Sequence, residues 1–209
     1  METVAVIDFE TTGMAPDMGD RATEVAVVIV ENGRIVDQYQ SLMNTGAYIT
    51  GFIEELTGIS NAMIRKAPPA KQVMGEMAEF VGSVPLVAHN ASFDSKFLDA
   101  EWSRIGHLRQ QEFACSMLLS RRIYPDAPNH KLGTLVCHLG LPSAVRHHRA
   151  LADAEMTAYL WLRMVSDLKS QHGLSAVSHE FLRSLQKVSK AKVPGYLEKA
   201  ERSMQDRNG

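Results

Sequence analysis

Cysteine is scarce: Cys115 and Cys137 are the whole complement, and neither has a CxxC neighbour. This excludes a disulfide framework and argues against zinc. Isolated thiols usually act as small buried hydrophobes in a reducing compartment, so a cytoplasmic setting is expected. No basic segment precedes the first apolar run in METVAVID, so a secretory signal is not expected. No apolar stretch approaches the roughly 18–20 residues that span a bilayer, and no membrane partner is expected. Internal repeats and low-complexity segments are lacking too. A strong overall charge is also missing: the net value is −2 and the pI about 6.4, which does not favour tight, unselective binding to a polyanion.

What charge there is lies unevenly. Residues 1–168 carry a net −6 and residues 169–209 a net +4. A basic tail of this kind either touches nucleic acid or an acidic partner, or forms a solvated helical face. A chain of 209 residues with 45% hydrophobic residues suits one domain with a proper core. Composition turns basic near Gln171-His172-Gly173, so the expected division is a domain over 1–173 and a helical C-terminal appendage over 174–209.

TVAVID (3–8) reads as a buried central strand, and residues 22–43 as two strands joined at Asn32-Gly33, a strong hairpin signal. Residues 44–69 read as loop and short helical turns, ending at Pro68-Pro69. The spacing of Val73, Met77, Phe80 and Val81 predicts a helix over 70–82. VPLVAH (84–89) reads as a strand, and Ser92 to about Ile105 as a helix capped by Ser92. Shorter helical patterns cover 112–123 and 131–139. Arg149 to about Leu168, free of Gly and Pro, predicts the longest helix. Two further helical pieces follow Gly173, split by Pro194-Gly195. Strands early and helices after them predict an α/β layer architecture.

Three blocks carry the chemistry: VIDFETTG (6–13), HNASFD (89–94) and HHRALADA (147–154). Asp8 and Glu10 lie two apart at a strand end, so both side chains can project to one side. No Lys or Arg precedes them in the strand, and a divalent cation is the economical counter-ion; oxygen donors alone favour Mg²⁺ or Mn²⁺. By itself the pair could equally cap local amides. Asp94, near the start of a helix, could serve the helix dipole. His89 and Asn90 could stabilise a loop or touch substrate. Asp153 falls one turn into the long helix, where it can reach the same cleft as His148, and His147 competes with His148 as a base. Each block alone has a structural explanation. The three together place four carboxylates and an imidazole at strand ends and helix starts, where open α/β sheets place their sites. That is the equipment for metal-assisted hydrolysis of a phosphodiester.

These blocks resemble the three exonuclease motifs of the DEDDh 3′–5′ exonuclease superfamily, over about residues 3–167. The His-x4-Asp spacing of HHRALADA resembles the third motif, and ELTGIS (55–60) and NHKLGTLVCHLGL (129–141) resemble intervening family segments. The resemblance implies a ribonuclease H-like fold, a five-stranded mixed β-sheet flanked by α-helices. It implies two divalent cations held by Asp8, Glu10, Asp94 and Asp153, with His148 as general base. It further implies release of nucleoside 5′-monophosphates from the 3′ ends of single-stranded DNA or RNA. Thr11, Thr12 and Met14 would line the pocket for the terminal nucleotide, with Met14 either wedged on the base or packed on the core. Phe93 would stack or sit in the core, and Lys131, Arg146 and Arg149 would contact phosphates or remain surface charge.

Two other readings stand beside a free-standing exonuclease. One is a proofreading subunit docked on a polymerase or repair partner through 174–209, and the other a binding module without catalysis. Loss of the tail separates the first pair: free activity should survive while partner binding vanishes. The presence of all five site residues argues against the inactive module. Family members occur as monomers and as dimers, so a homodimer is one expectation.

Overall fold

The computed structural model describes residues 2–143 and 149–206. A five-stranded sheet lies at its centre: β1 (Val4–Thr11), β2 (Ala22–Glu31), β3 (Arg34–Leu42), β4 (Leu86–Ala88) and β5 (Phe113–Cys115), in the order β3-β2-β1-β4-β5. β2 runs antiparallel to β1 and β3, while β1, β4 and β5 are parallel. The sheet is therefore mixed and ribonuclease H-like, as expected. The β2–β3 turn is Asn32-Gly33, both at positive φ (50° and 83°), the geometry that matches a hairpin's twist.

The helices are α1 (Gly51–Thr57), α2 (Asn61–Lys66), α3 (Ala70–Val81), α4 (Ala91–Arg104), α5 (Ser116–Ile123), α6 (Leu132–His138), α7 (Ala150–His172), α8 (His179–Leu185) and α9 (Val193–Gln205). β1 is buried on both faces because layers cover both. Val4 and Val6 join Ala26, Val28 and Val30 against α7. Ala5, Ile7 and Phe9 join Val25 and Val27 against α3 and α4. The period of two thus assigns Asp8 and Glu10, which continue the Val4–Val6 row, to the α7 side of the sheet.

Four local expectations are corrected. Residues 113–115 form strand β5 where a helical pattern was read from 112; three residues are too short to show a period, and pairing with β4 decides their conformation. Pro194-Gly195 does not split two helices but lies in the first turn of α9, where proline's missing N–H costs nothing. Asn90, not Ser92, is the N-cap of α4. α7 continues past Leu168 to His172 and stops at Gly173, whose φ of 61° suits a residue without Cβ.

Residues 174–206 pack on the rest. Leu174, Val177, Leu182, Leu185, Val193 and Leu197 share one core with Trp161 of α7. The His179 imidazole lies 2.8 Å from the Leu86 carbonyl of β4, and the Cys115 N–H of edge strand β5 donates to Gln186 Oε1 at 2.7 Å. Among the described residues no helix is long and apolar enough to cross a membrane.

Candidate active site

β1 and β4 run parallel, and both lead into the cleft where the site forms. β1 delivers Asp8 and Glu10 on the α7 side. α7 delivers Asp153 from its first turn, with the Asp153 N–H donating to the Arg149 carbonyl at 3.1 Å. One carboxylate oxygen from each of Asp8, Glu10 and Asp153 lies within 4.8 Å of the other two. Residues 145 positions apart in the chain meet here only because α7 packs across β1.

Crowding shows in the proton affinities. Burial pushes the Asp8 carboxyl well above the usual carboxylate range, and the charges of Asp94, Asp153, Glu10 and Glu24 push it further. Burial, then Asp153 and Glu24, raise Glu10 to about 8, while Arg149 pulls it down. Asp94 stands outside the close trio, in the first turn of α4 and 2% exposed. Burial raises it to about 8 against the pull of its own backbone N–H and that of Phe9. Four carboxylates thus gather at one site, and Asp8, Glu10 and Asp94 hold their protons more tightly than ordinary carboxyls. Hard oxygen donors in that state fit a hard divalent cation, which would return all of them to the ionised form.

His89 directly follows β4 and has both ring nitrogens engaged: Nδ1 is 2.9 Å from Ser116 Oγ and Nε2 3.0 Å from the His130 carbonyl. A carbonyl only accepts, so Nε2 carries the proton and Nδ1 accepts from Ser116. Burial holds the imidazole down at about 4. Neutral and fully bonded, His89 is a brace between β4, α5 and the segment leading into α6. Asn90, at a left-handed φ of 72°, accepts a hydrogen bond from Ser92 at 3.3 Å.

A cavity of about 700 Å³ opens beside the trio, lined by Asp8, Asp153, Met14, His89, Asn90, Phe93, Lys131, Leu132, Gly133 and Thr134. Met14 is 72% exposed at its rim. Phe93 both lines the cavity and packs on Phe97, ring centroids 5.0 Å apart. Thr11 and Thr12 are not among the lining residues; they shape the turn instead. The Thr11 hydroxyl donates to the Gly13 carbonyl at 2.6 Å, and the Thr12 hydroxyl accepts from the Arg21 N–H at 3.0 Å. Arg146, His147 and His148 lie outside the described residues.

Sequence reasoning missed two features. Leu132, Gly133 and Thr134 line the cavity, although only Lys131 had been singled out from that segment. Glu24 is 1% exposed and takes the guanidinium of Arg149, Nη2 to Oε1 at 2.7 Å and Nε to Oε2 at 3.1 Å. A charged residue inside the otherwise apolar run ATEVAVVIV was the available signal for Glu24. Arg149 is thereby engaged within the protein.

The family model described as Exonuclease (RNase T) matches residues 5–161. The chain belongs to this exonuclease family. Its sequence is 35% identical over 173 residues to the DNA polymerase III PolC-type protein of Caldanaerobacter subterraneus subsp. tengcongensis, covering 83% of this chain and 12% of that protein. It is 34% identical over 208 residues to the 3′–5′ exonuclease DinG of Bacillus subtilis, covering 91% of this chain and 22% of that protein. The chain therefore spans a small part of these relatives' length. Among solved structures, exonuclease X in complex with 5′ overhanging duplex DNA superposes with a TM-score of 0.70 at 28% identity, over 88% of this chain and 99% of that one. The nuclease domain of 3′hExo, a DEDDh family member bound to rAMP, shares the fold at a TM-score of 0.66 and 23% identity, over 79% of this chain and 92% of that one. Divalent-metal dependence goes with this exonuclease family, and the acidic cluster described above suits it.

Proposed function

We propose that the chain hydrolyses phosphodiester bonds at the 3′ ends of single-stranded DNA or RNA and releases nucleoside 5′-monophosphates. The observation that carries the reading is the meeting of Asp8, Glu10 and Asp153 beside a cavity of about 700 Å³ that Asp8 and Asp153 help to line. That volume falls within the range of small-molecule pockets and suits one terminal nucleotide. In this reading Asp8, Glu10, Asp94 and Asp153 hold two divalent cations, Mg²⁺ or Mn²⁺. When bound, such ions supply Lewis-acid polarisation of the phosphoryl group and a nucleophile available at neutral pH.

The chain's own groups do the rest. His148 takes the proton of the attacking water; an imidazole with an unperturbed pKa of about 6.5 suits that work near neutrality. His89 is no rival, because both its nitrogens are committed. Met14 at the rim offers an apolar surface to the terminal base, and Phe93 a partly buried ring. Lys131, exposed at the cavity wall, offers a cation to a phosphate. Asn90 presents its amide to the same space. Thr11 and Thr12 act through the turn that carries Met14.

The test is digestion of end-labelled single- and double-stranded DNA and RNA with Mg²⁺ or Mn²⁺, resolving product size and direction. Mononucleotides released from the 3′ end support the reading. Activity untouched by a chelator, or endonucleolytic products, would overturn it.

A second reading has the same domain proofreading for a DNA polymerase. The likeness to PolC-type polymerase III supports it, since the matching segment lies inside a polymerase in those proteins. In this reading residues 1–173 form the exonuclease domain and 174–209 the basic appendage, whose described part, 174–206, packs on the domain and offers its outer surface to the partner. Exposed Lys187, Lys190 and Lys192 would carry the contact. Charge reversal there should abolish co-purification with a polymerase and leave free nuclease activity intact. The two free thiols, Cys115 buried and Cys137 exposed, fit a cytoplasmic setting, and a homodimer is a further proposal for sedimentation to test.

A further inference from the structure

The Glu24 carboxylate is unusually well occupied for a side chain that no step of the chemistry uses. Besides the two bonds from the Arg149 guanidinium, it accepts from the Ala150 N–H at 3.1 Å and from Gln40 Nε2 at 2.8 Å. Ala150 is the first residue of α7, and its N–H is one of the orphan donors at a helix start. Arg149, the N-cap residue, makes no side-chain cap of its own. A carboxylate from strand β2 therefore caps the helix from across the sheet and grips the residue before it with a planar fork.

The placement is costly in charge. Glu24 pairs in register with Glu10 across the β1–β2 ladder, and its charge raises the proton affinity of both Asp8 and Glu10. Like charges directly opposite on neighbouring strands destabilise a sheet. The compensating effect is geometric. Ala150 is three residues before Asp153, and Arg149 directly follows His148 in the sequence. A shift or rotation at the start of α7 moves Asp153 away from Asp8 and Glu10, which sit on a strand that cannot follow.

We propose that Glu24 and Arg149 are positioning residues: their ion pair fixes the start of α7 so that Asp153 meets Asp8 and Glu10 at metal-holding distance. The assignment rests on the metal-dependent reading above. It opposes a simpler electrostatic role, in which Arg149 only offsets negative charge near Glu10. The two differ in sign. If Arg149 merely offsets charge, Arg149→Gln makes the site more negative and tightens Mn²⁺. If it positions, the same change weakens Mn²⁺, by about 10–100-fold, the usual cost of losing an outer partner of a metal site.

The experiment is calorimetric titration of the full chain with Mn²⁺, without substrate, for wild type, Arg149→Gln and Arg149→Lys, alongside kcat and KM on a single-stranded oligonucleotide. Arg149→Lys keeps the charge and loses the fork. Positioning requires both variants to bind Mn²⁺ more weakly and to lose kcat with KM little changed. Glu24→Gln should lose kcat likewise, and Glu24→Asp, which keeps the charge on a shorter stem, should recover part of it. Unchanged or tighter Mn²⁺ binding in Arg149→Gln, or wild-type behaviour of Arg149→Lys, would overturn the assignment. Should Arg149→Gln fail to fold, Arg149→Lys decides alone. A wild-type chain that binds no Mn²⁺ would instead defeat the metal-dependent reading and this assignment with it.

Discussion

Glu10 of β1 and Asp153 of α7 approach within 4.8 Å through their carboxylate oxygens, although the Asp153 charge raises the cost of ionising Glu10. Bringing like charges together in a half-buried cluster is costly, because carboxylate charge taken out of water needs compensation. Function and stability are therefore opposed at this cluster, and the opposition can be measured.

Asp8→Asn removes one member of the cluster while keeping its shape. Hydrolysis should be abolished. In a chelator at pH 8 the melting temperature should equal or exceed that of wild type, since a repelled carboxylate has gone. Differential scanning calorimetry checks this, and a clear drop in melting temperature would make Asp8 a structural residue.

The pH dependence of metal-free stability has a definite sign. Glu10 and Asp94 are raised to about 8 from ordinary values near 4. The folded state then binds protons that the unfolded state has already released, so stability is full below about pH 4 and is lost as pH rises through 8. His89, held at about 4, acts oppositely: its contribution is full above about 6.5 and is lost as pH falls towards 4. From about pH 7 to 8 the His89 contribution is already complete while Glu10 and Asp94 still titrate. Urea midpoints in a chelator should fall across that window, and saturating Mg²⁺ should flatten or reverse the fall. A midpoint independent of pH and metal would contradict the charge distribution described here.

His148→Ala should lower the rate by about 10²–10⁴, the usual range for a general base. His147→Ala is the control. If His147 proves the more damaging change, the base has been assigned to the wrong histidine.

His89→Ala severs the brace between β4, Ser116 and the His130 carbonyl. Lys131, Leu132, Gly133 and Thr134, which follow directly, should then hold the cavity wall less firmly. We expect KM to rise more than kcat falls. Stability should drop by about 1–3 kcal/mol from the unpaired buried partners left behind. A loss confined to kcat would make His89 part of the chemistry.

Truncation after Gly173 would remove Leu174, Leu182, Leu185 and Leu197 from the core shared with Trp161, along with the His179 and Gln186 contacts to β4 and β5. The shortened chain should melt at least 10 °C lower or fail to remain soluble, as several buried leucines at about 2 kcal/mol each are lost. Unchanged melting would mean that the segment adds nothing to the domain. Point changes at exposed lysines are thus the cleaner probe of partner binding.

Residue pattern alone determined much of this protein. The apolar runs of β1 and β2, the Asn32-Gly33 turn and the uninterrupted α7 announce themselves because period and turn chemistry are local properties. Asp8 and Glu10 could be placed on one side of β1 for the same reason, a period of two. Three things belonged to the tertiary structure. β5 is strand because β4 pairs with it, and its three residues carry no period of their own. Asp153 meets Asp8 and Glu10 because α7 crosses their face of the sheet. Arg149, readable from sequence as a phosphate contact, is held by Glu24, which lies 125 positions away. Local sequence decides which elements form and which way their side chains point; which charges become neighbours depends on packing between distant segments, and no short stretch of chain contains that information.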